Sequence, residues 1–162
     1  MYEIDELDKV VPFSEIPLPT PGVPEPCILA DENSVIIFYF LPEKKLIATP
    51  SAAFIQFKGC ISHMFGMPND EALRGHPLYK RGLGFYGAYT VENSSWIRKL
   101  ERMNSVHQMH RPERFLQYRH LIITFHDSTF ECVCREFEAK VRDGSEVIRD
   151  VAQILSRWPS KA

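Results

Sequence analysis

Several features that would classify this chain at once are missing. No apolar run reaches the roughly 20 residues that a membrane-spanning helix needs, so the 162-residue sequence is expected to have no membrane partner. A dominant charge sign is also absent. Nineteen Lys and Arg stand against 21 Asp and Glu, for a net charge of -2, which disfavours nucleic acid as a partner. Cysteine is sparse, four residues in all, and no Cys-x-x-Cys pair occurs, so neither a zinc signature nor a disulfide framework is in evidence. The opening Met1-Tyr2-Glu3-Ile4-Asp5-Glu6-Leu7-Asp8 is acidic where a secretory leader would be apolar. The loop His76 to Gly84 carries Lys80 and Arg81 but lacks the glycine spacing of a phosphate cradle. These absences predict a cytoplasmic protein with reduced, mostly buried thiols and no cofactor. Internal repeats and a second-domain boundary are missing too.

What the sequence does contain is strand. The stretch Leu116 to Val141 reads as a long β-hairpin around the turn His126-Asp127-Ser128-Thr129. Leu121-Ile122-Ile123-Thr124-Phe125 is β-branched and aromatic, which suits a pleated, half-buried surface. Asp127 and Ser128 supply turn chemistry, because their side chains bond nearby backbone amides. If His126 opposes Thr129, Phe125 faces Phe130, Ile123 faces Cys132 and Leu121 faces Cys134 on the core side. Thr124 with Glu131, Ile122 with Val133 and His120 with Arg135 then share the other side. Cys132 and Cys134 share one face of one strand, a poor geometry for a mutual disulfide.

Around the hairpin, residues 1–26 form an acidic and then proline-rich extended arm, with Ile16 and Leu18 as pegs, and residues 27–162 form one globular domain. Ser34 to Leu41 is apolar on both faces, as in a strand covered on both sides. Leu46 to Ala48, Ala53 to Lys58 and Phe85 to Val91 read as further strands, Gly87 marking a bulge. Asn69 to Gly75 reads as a short capped helix. Two principal helices are predicted at about 95–106 and 145–157. The first carries Trp96, Leu100, Met103 and His107 at helical spacing; Trp96, Leu100 and Met103 should pin one face to the sheet and leave Arg98 and Arg102 to solvent. The second follows Asp143-Gly144-Ser145-Glu146, which resembles a capping box, and carries the stripe Val147, Ile148, Val151, Ile154, Leu155 and Trp158. Strands outnumber helices and regular βαβ alternation is absent. The fold class is therefore α+β: a twisted, mainly antiparallel sheet with two packed helices.

No catalytic residue is assigned from this pattern. His126, Glu131 and His120 are the residues that an acid–base hydrolase or transferase would use. However, His126, Asp127 and Ser128 are neighbours at a turn, whereas catalytic triads are assembled from distant segments. No metal is assigned either. His107 and His110 lie three apart near a helix end, a spacing that can share a metal; a cationic cap explains His107 equally well. Six cations fall within residues 98–119 (Arg98, Lys99, Arg102, Arg111, Arg114 and Arg119) against Glu101 and Glu113. A charge run is often only a solvated face. Here the opposite sign is concentrated in the arm. The expected function is a non-enzymatic intracellular protein-binding domain, a small regulator or toxin-neutralising protein. Its binding residues would be Arg98, Lys99, Arg102, Arg111 and Arg114, and its partner an acidic protein.

Overall fold

Alternating β-branched and aromatic residues give this chain two strand layers. In chain order the strands are β1 (Lys9–Pro12), β2 (Cys27–Ala30), β3 (Ser34–Phe40), β4 (Ser51–Lys58), β5 (Ser62–Gly66), β6 (Ala88–Glu92), β7 (Arg119–Thr124), β8 (Thr129–Cys134) and β9 (Glu136–Asp143). The helices are α1 (Ser95–Asn104) and α2 (Gly144–Arg157). This computed structural model describes residues 2–22, 24–42 and 50–157; the predicted strand Leu46–Ala48 and the stripe residue Trp158 lie outside them. Among the described residues every strand pairing is antiparallel. One sheet has five strands in the order β1-β6-β7-β8-β5, and the other has four in the order β2-β3-β4-β9. The fold is α+β, as the sequence pattern implies, with its strands divided between two packed sheets.

The apolar face of the hairpin is the middle of this sandwich. Leu121, Ile123, Phe125, Phe130, Cys132 and Cys134 pack in one buried cluster with residues of β3 and β4. Tyr39 meets Phe125 edge-on at 5.0 Å, and Phe57 meets Phe130 at 5.3 Å. Four rings thus join the sheets, each burying a large apolar area with a preferred geometry. The three thiols of Cys60, Cys132 and Cys134 are buried and unbridged, while Cys27 is exposed.

The hairpin register differs from the expected one by two residues. The Phe125 amide donates to the Ser128 carbonyl at 2.8 Å, which makes His126 and Asp127 the two-residue loop in place of Asp127 and Ser128. Thr124 therefore opposes Thr129, Ile123 opposes Phe130, Leu121 opposes Cys132 and His120 opposes Val133. Strand side chains alternate with a period of two, so this even shift leaves each one on its predicted face.

The hairpin is also shorter than expected. After Cys134 the chain leaves the first sheet, and β9 pairs with β4 in the second. The segment β4–β5 makes the same crossing in the opposite direction. Between the pairs Lys58–Glu136 and Ser62–Val133, the three residues Gly59 to Ile61 stand against Cys134 and Arg135. The extra residue is a β-bulge, which bends the paired strands together. Gly59 has φ 59° at this corner, and the Arg135 side chain lies against it. Glycine adopts that backbone without strain.

Local chemistry explains the remaining departures. Asn69 Oδ1 accepts from the Ala72 amide at 3.1 Å, but only a 3-10 turn, Leu73–Gly75, follows. The strand expected from Phe85 starts at Ala88, because Tyr86 takes a positive φ of 50°. In the arm, β1 pairs with β6 and Ile16 is buried, whereas Leu18 is exposed. In α1, Ser94 Oγ caps the Ile97 amide and Trp96 is buried, but Met103 is not pinned to the sheet: it is 64% exposed. In α2, Val147 is buried while Ile148 and Leu155 face solvent. Asp143 Oδ1 accepts from the Ser145 amide at 2.8 Å, in the manner of a helix cap.

Phe125→Ala should remove one of the four inter-sheet rings and leave a cavity. It is expected to lower unfolding free energy by about 3–5 kcal/mol with an unchanged denaturant slope. A chemical-denaturation curve coincident with wild type would take Phe125 out of the core.

Candidate functional site

The outer face of β7 and β8 is covered as well. The N-terminal segment, the 3-10 turns Leu73–Gly75 and Tyr79–Arg81, and α1 bury Tyr2, Leu73, Leu78, Leu83 and Trp96 over Ile122 and Val133. Beneath this layer lies a carboxylate. Glu131 on β8 is 3% exposed and sits diagonal to His120 on β7, since His120 opposes Val133.

The hydrogen bonds around it can be assigned one at a time. The Leu78 amide donates to His76 Nδ1 at 3.1 Å, so His76 Nε2 carries the proton that it donates to Glu131 Oε1 at 3.0 Å. The Tyr2 hydroxyl donates to Glu131 Oε2 at 2.6 Å, and His120 Nε2 donates to the same oxygen at 3.0 Å. His120 Nδ1 is then free to accept from the Ser94 hydroxyl at 2.9 Å. Tyr2 stacks on Trp96 at 5.0 Å and closes the network from above. Beside it, buried Asp8 accepts from the Ser95 amide at 2.7 Å and the Asp5 amide at 2.9 Å.

Burial alone would push the Glu131 carboxyl up. The bonds from His120 and His76 outweigh it and hold the group at about 2, below its usual 4.5. Burial, and after it the same carboxylate, raise the Tyr2 hydroxyl well above its ordinary value.

The connectivity Ser94–His120–Glu131 is that of a serine-hydrolase relay with the two ring nitrogens exchanged. Its surroundings argue for structure over catalysis. Ser94 is 4% exposed and His120 is fully buried, so the hydroxyl is closed to substrate in this conformation. The Ser94 oxygen also caps α1. Each ring nitrogen and carboxylate oxygen has a partner, as a buried polar network requires.

The expected acid–base set is thus split. Structure joins His120 to Glu131 and leaves His126 elsewhere, at the hairpin tip. There His126 bonds Asp127 at 3.0 Å and stands 3.9 Å from Asp70. Asp127 and then Asp70 raise its proton affinity. Asp70 also accepts from Tyr86, which lowers the Asp70 carboxyl and raises the Tyr86 hydroxyl. Ser94, His76 and Tyr2 had no signal in local spacing, because they reach the hairpin from three separate segments.

The metal candidates do not converge. His107 Nδ1 accepts from the Met109 amide at 3.0 Å, whereas His110 bonds Asn104 at 3.0 Å and Glu101 at 2.8 Å. Among the described residues no group of three or more His, Cys, Asp or Glu side chains forms a metal nest.

Of the predicted binding cations, Arg98 is not free: it bonds the Asn93 carbonyl and pairs with Asp5 of the arm. Lys99, Arg102, Arg111 and Arg114 are exposed. Two hollows adjoin them. One, of about 320 Å³, is lined by Tyr2, Ser62, Met64, Trp96, Lys99, Leu100 and Met103. The other, of about 430 Å³, shares Leu100 and Met103 and adds Ile61, Asn104, Arg114, Phe115, Tyr118 and Arg135. Compared with family models, with curated proteins and with solved structures, the chain matches none.

Glu131 links this network to pH. A carboxyl lowered by folding contributes stability that is complete above its ordinary 4.5 and is lost as pH falls toward about 2. The difference is worth about 3 kcal/mol. Glu131→Gln should therefore be less stable than wild type at pH 7, and the gap between them should narrow from pH 4.5 to pH 2. Denaturant titrations of both proteins across that range check it. A constant gap would mean that Glu131 carries no folding-linked proton.

Proposed function

We propose that this chain is a non-enzymatic protein-binding domain whose face over residues 98–119 takes an acidic partner. One observation carries the reading. Met103, Val106, Met109 and Leu116, exposed at 64, 89, 59 and 85%, stand among the exposed Arg102, Arg111 and Arg114. Single exposed apolar residues are ordinary, but four large ones close in sequence beside a basic cluster have the composition of an interface. Met and Arg are enriched at such contacts, the one for its adaptable shape and the other for its planar donors.

The acidic arm does not neutralise this face. Asp5 pairs with Arg98, while among the described residues no ion pair reaches Lys99, Arg102, Arg111 or Arg114. An exposed pair of this kind is worth about 0–1 kcal/mol, so a stability role does not account for the cluster. Cations on the rim of an apolar patch mainly raise the association rate and select the partner's sign. The closed Ser94–His120–Glu131 network supports the non-enzymatic side of the reading. Four free cysteines suit a reducing, cytoplasmic setting, in which a small regulator or toxin-neutralising protein would act by covering its target.

A random peptide library displayed against the immobilised domain tests this. Recovered peptides should be rich in Asp, Glu and bulky apolar residues. The variant Arg102→Glu/Arg111→Glu/Arg114→Glu should lose about tenfold or more in affinity for them while melting within a few degrees of wild type. Recovery of neutral or basic peptides, or affinity indifferent to the reversal, would sink the reading.

A further inference from the structure

The two hollows beside α1 are bounded on one side by a strand whose other edge is open. Strand β5 pairs with β8 and, among the described residues, with no second strand. In an antiparallel sheet, alternate residues of an edge strand aim their amide and carbonyl groups away from the sheet. Natural edges are usually guarded by proline, charge, an internal bulge or a covering segment. Ser62-His63-Met64-Phe65-Gly66 has no proline, no Lys, Arg, Asp or Glu, and an unbroken ladder to β8. Among the described residues, its brevity is its one protection. Ile61, Phe65 and Met67, in and flanking this strand, are exposed at 40, 46 and 73%.

Helix α1 forms the opposite wall. It lies over β7, not over β5, and so leaves a trough. Met64 and Ser62 form its strand side, and Trp96, Leu100 and Met103 its helix side. The trough continues past Leu100 and Met103 toward Phe115 and Tyr118. Among the described residues its charge has one sign: Lys99, Arg114 and Arg135 line it and no carboxylate does.

We infer that an extended acidic segment of a partner protein binds here by adding to the free edge of β5 as a sixth strand of the five-stranded sheet. Backbone bonds to β5 supply the fixed geometry of strand addition. Alternate side chains of the segment point into the trough, where apolar groups meet Met64, Leu100 and Met103. Acidic side chains meet Lys99, Arg114 and Arg135. A second copy of this chain is a poorer occupant. Two β5 edges paired about a two-fold axis would set the same cations against one another. The inference rests on the protein-binding reading above and names the binding mode of the same face.

The acidic peptides recovered from the display library are the probe. On binding, amide hydrogen exchange at residues 62–66 should slow about tenfold or more. Methylation of the peptide's backbone nitrogens should abolish binding at alternate positions and be tolerated between them. Met103→Glu, at an exposed position that keeps the fold, should weaken binding at least tenfold. If the peptides bind through the arginines while exchange in β5 is unchanged and both methylation patterns are tolerated, strand addition is wrong and the binding function stands. If no peptide binds, both fall. Protection of β5 that rises with protein concentration alone, together with a dimer in sedimentation, would replace the foreign segment with a second copy.

Discussion

One buried carboxylate organises the outer half of this protein. Glu131 accepts from Tyr2, His76 and His120, and so ties the N-terminal segment, the loop after the first 3-10 turn, β7 and β8 to one point. A carboxylate moved out of water costs several kcal/mol or more unless hydrogen bonds replace its hydration. Three donors meet that demand, and each is fixed by its own backbone element. The charge therefore specifies geometry: the outer layer seats where all three donors reach it together. An apolar residue at this position could pack, but it would not distinguish one seating of the arm and the loop from another. The inner half works differently. Between the sheets there is ring packing, Tyr39 on Phe125 and Phe57 on Phe130, with shape complementarity in place of directional bonds.

The face assignment of every hairpin side chain could be read in the sequence, because a period of two survives an even shift. The register could not, because Asp127 and Ser128 suit a two-residue loop made of themselves as well as one made of His126 and Asp127 that Ser128 closes, and the Phe125–Ser128 backbone bond decides it. The end of the hairpin was hidden for a related reason. Arg135 continues an alternating pattern through the corner, and the bulge that turns the chain sits on the partner strand, at Gly59. Sequence periodicity reports burial on one strand. It carries no information about which neighbour supplies the extra residue.

The candidate residues divide in the same way. His120 and Glu131 were legible as polar residues on one face of a hairpin, and they do meet. Their partners Ser94, His76 and Tyr2 come from far along the chain, and no local spacing encodes a contact of that kind. Arg98 was expected to face solvent from its helical phase. That phase is right, yet the side chain is occupied, because the Asn93 carbonyl and Asp5 lie within its reach. Met103 was expected to pin α1 and instead projects from it. The reason is the way that the helix is anchored. Ser94, Ser95 and Trp96 are buried at its first turn, whereas its last turn is held from outside the sheet, by His110 bonded to Glu101 and Asn104.

That buried first turn joins the structural network to the surface. Tyr2 places its hydroxyl on Glu131 and stacks its ring on Trp96, and both rings line the end of the trough beside β5. The buried carboxylate therefore sets the position of the trough wall. The buried first turn holds Leu100 at the rim, and Met103 beyond it is 64% exposed. Surfaces that accept related but unequal segments commonly pair a fixed frame with a Met of this kind. In the strand-addition mode proposed above, the open edge of β5 would fix the backbone of an incoming strand and the cations its charge. Met103 would then accommodate the side chains that vary from one segment to the next.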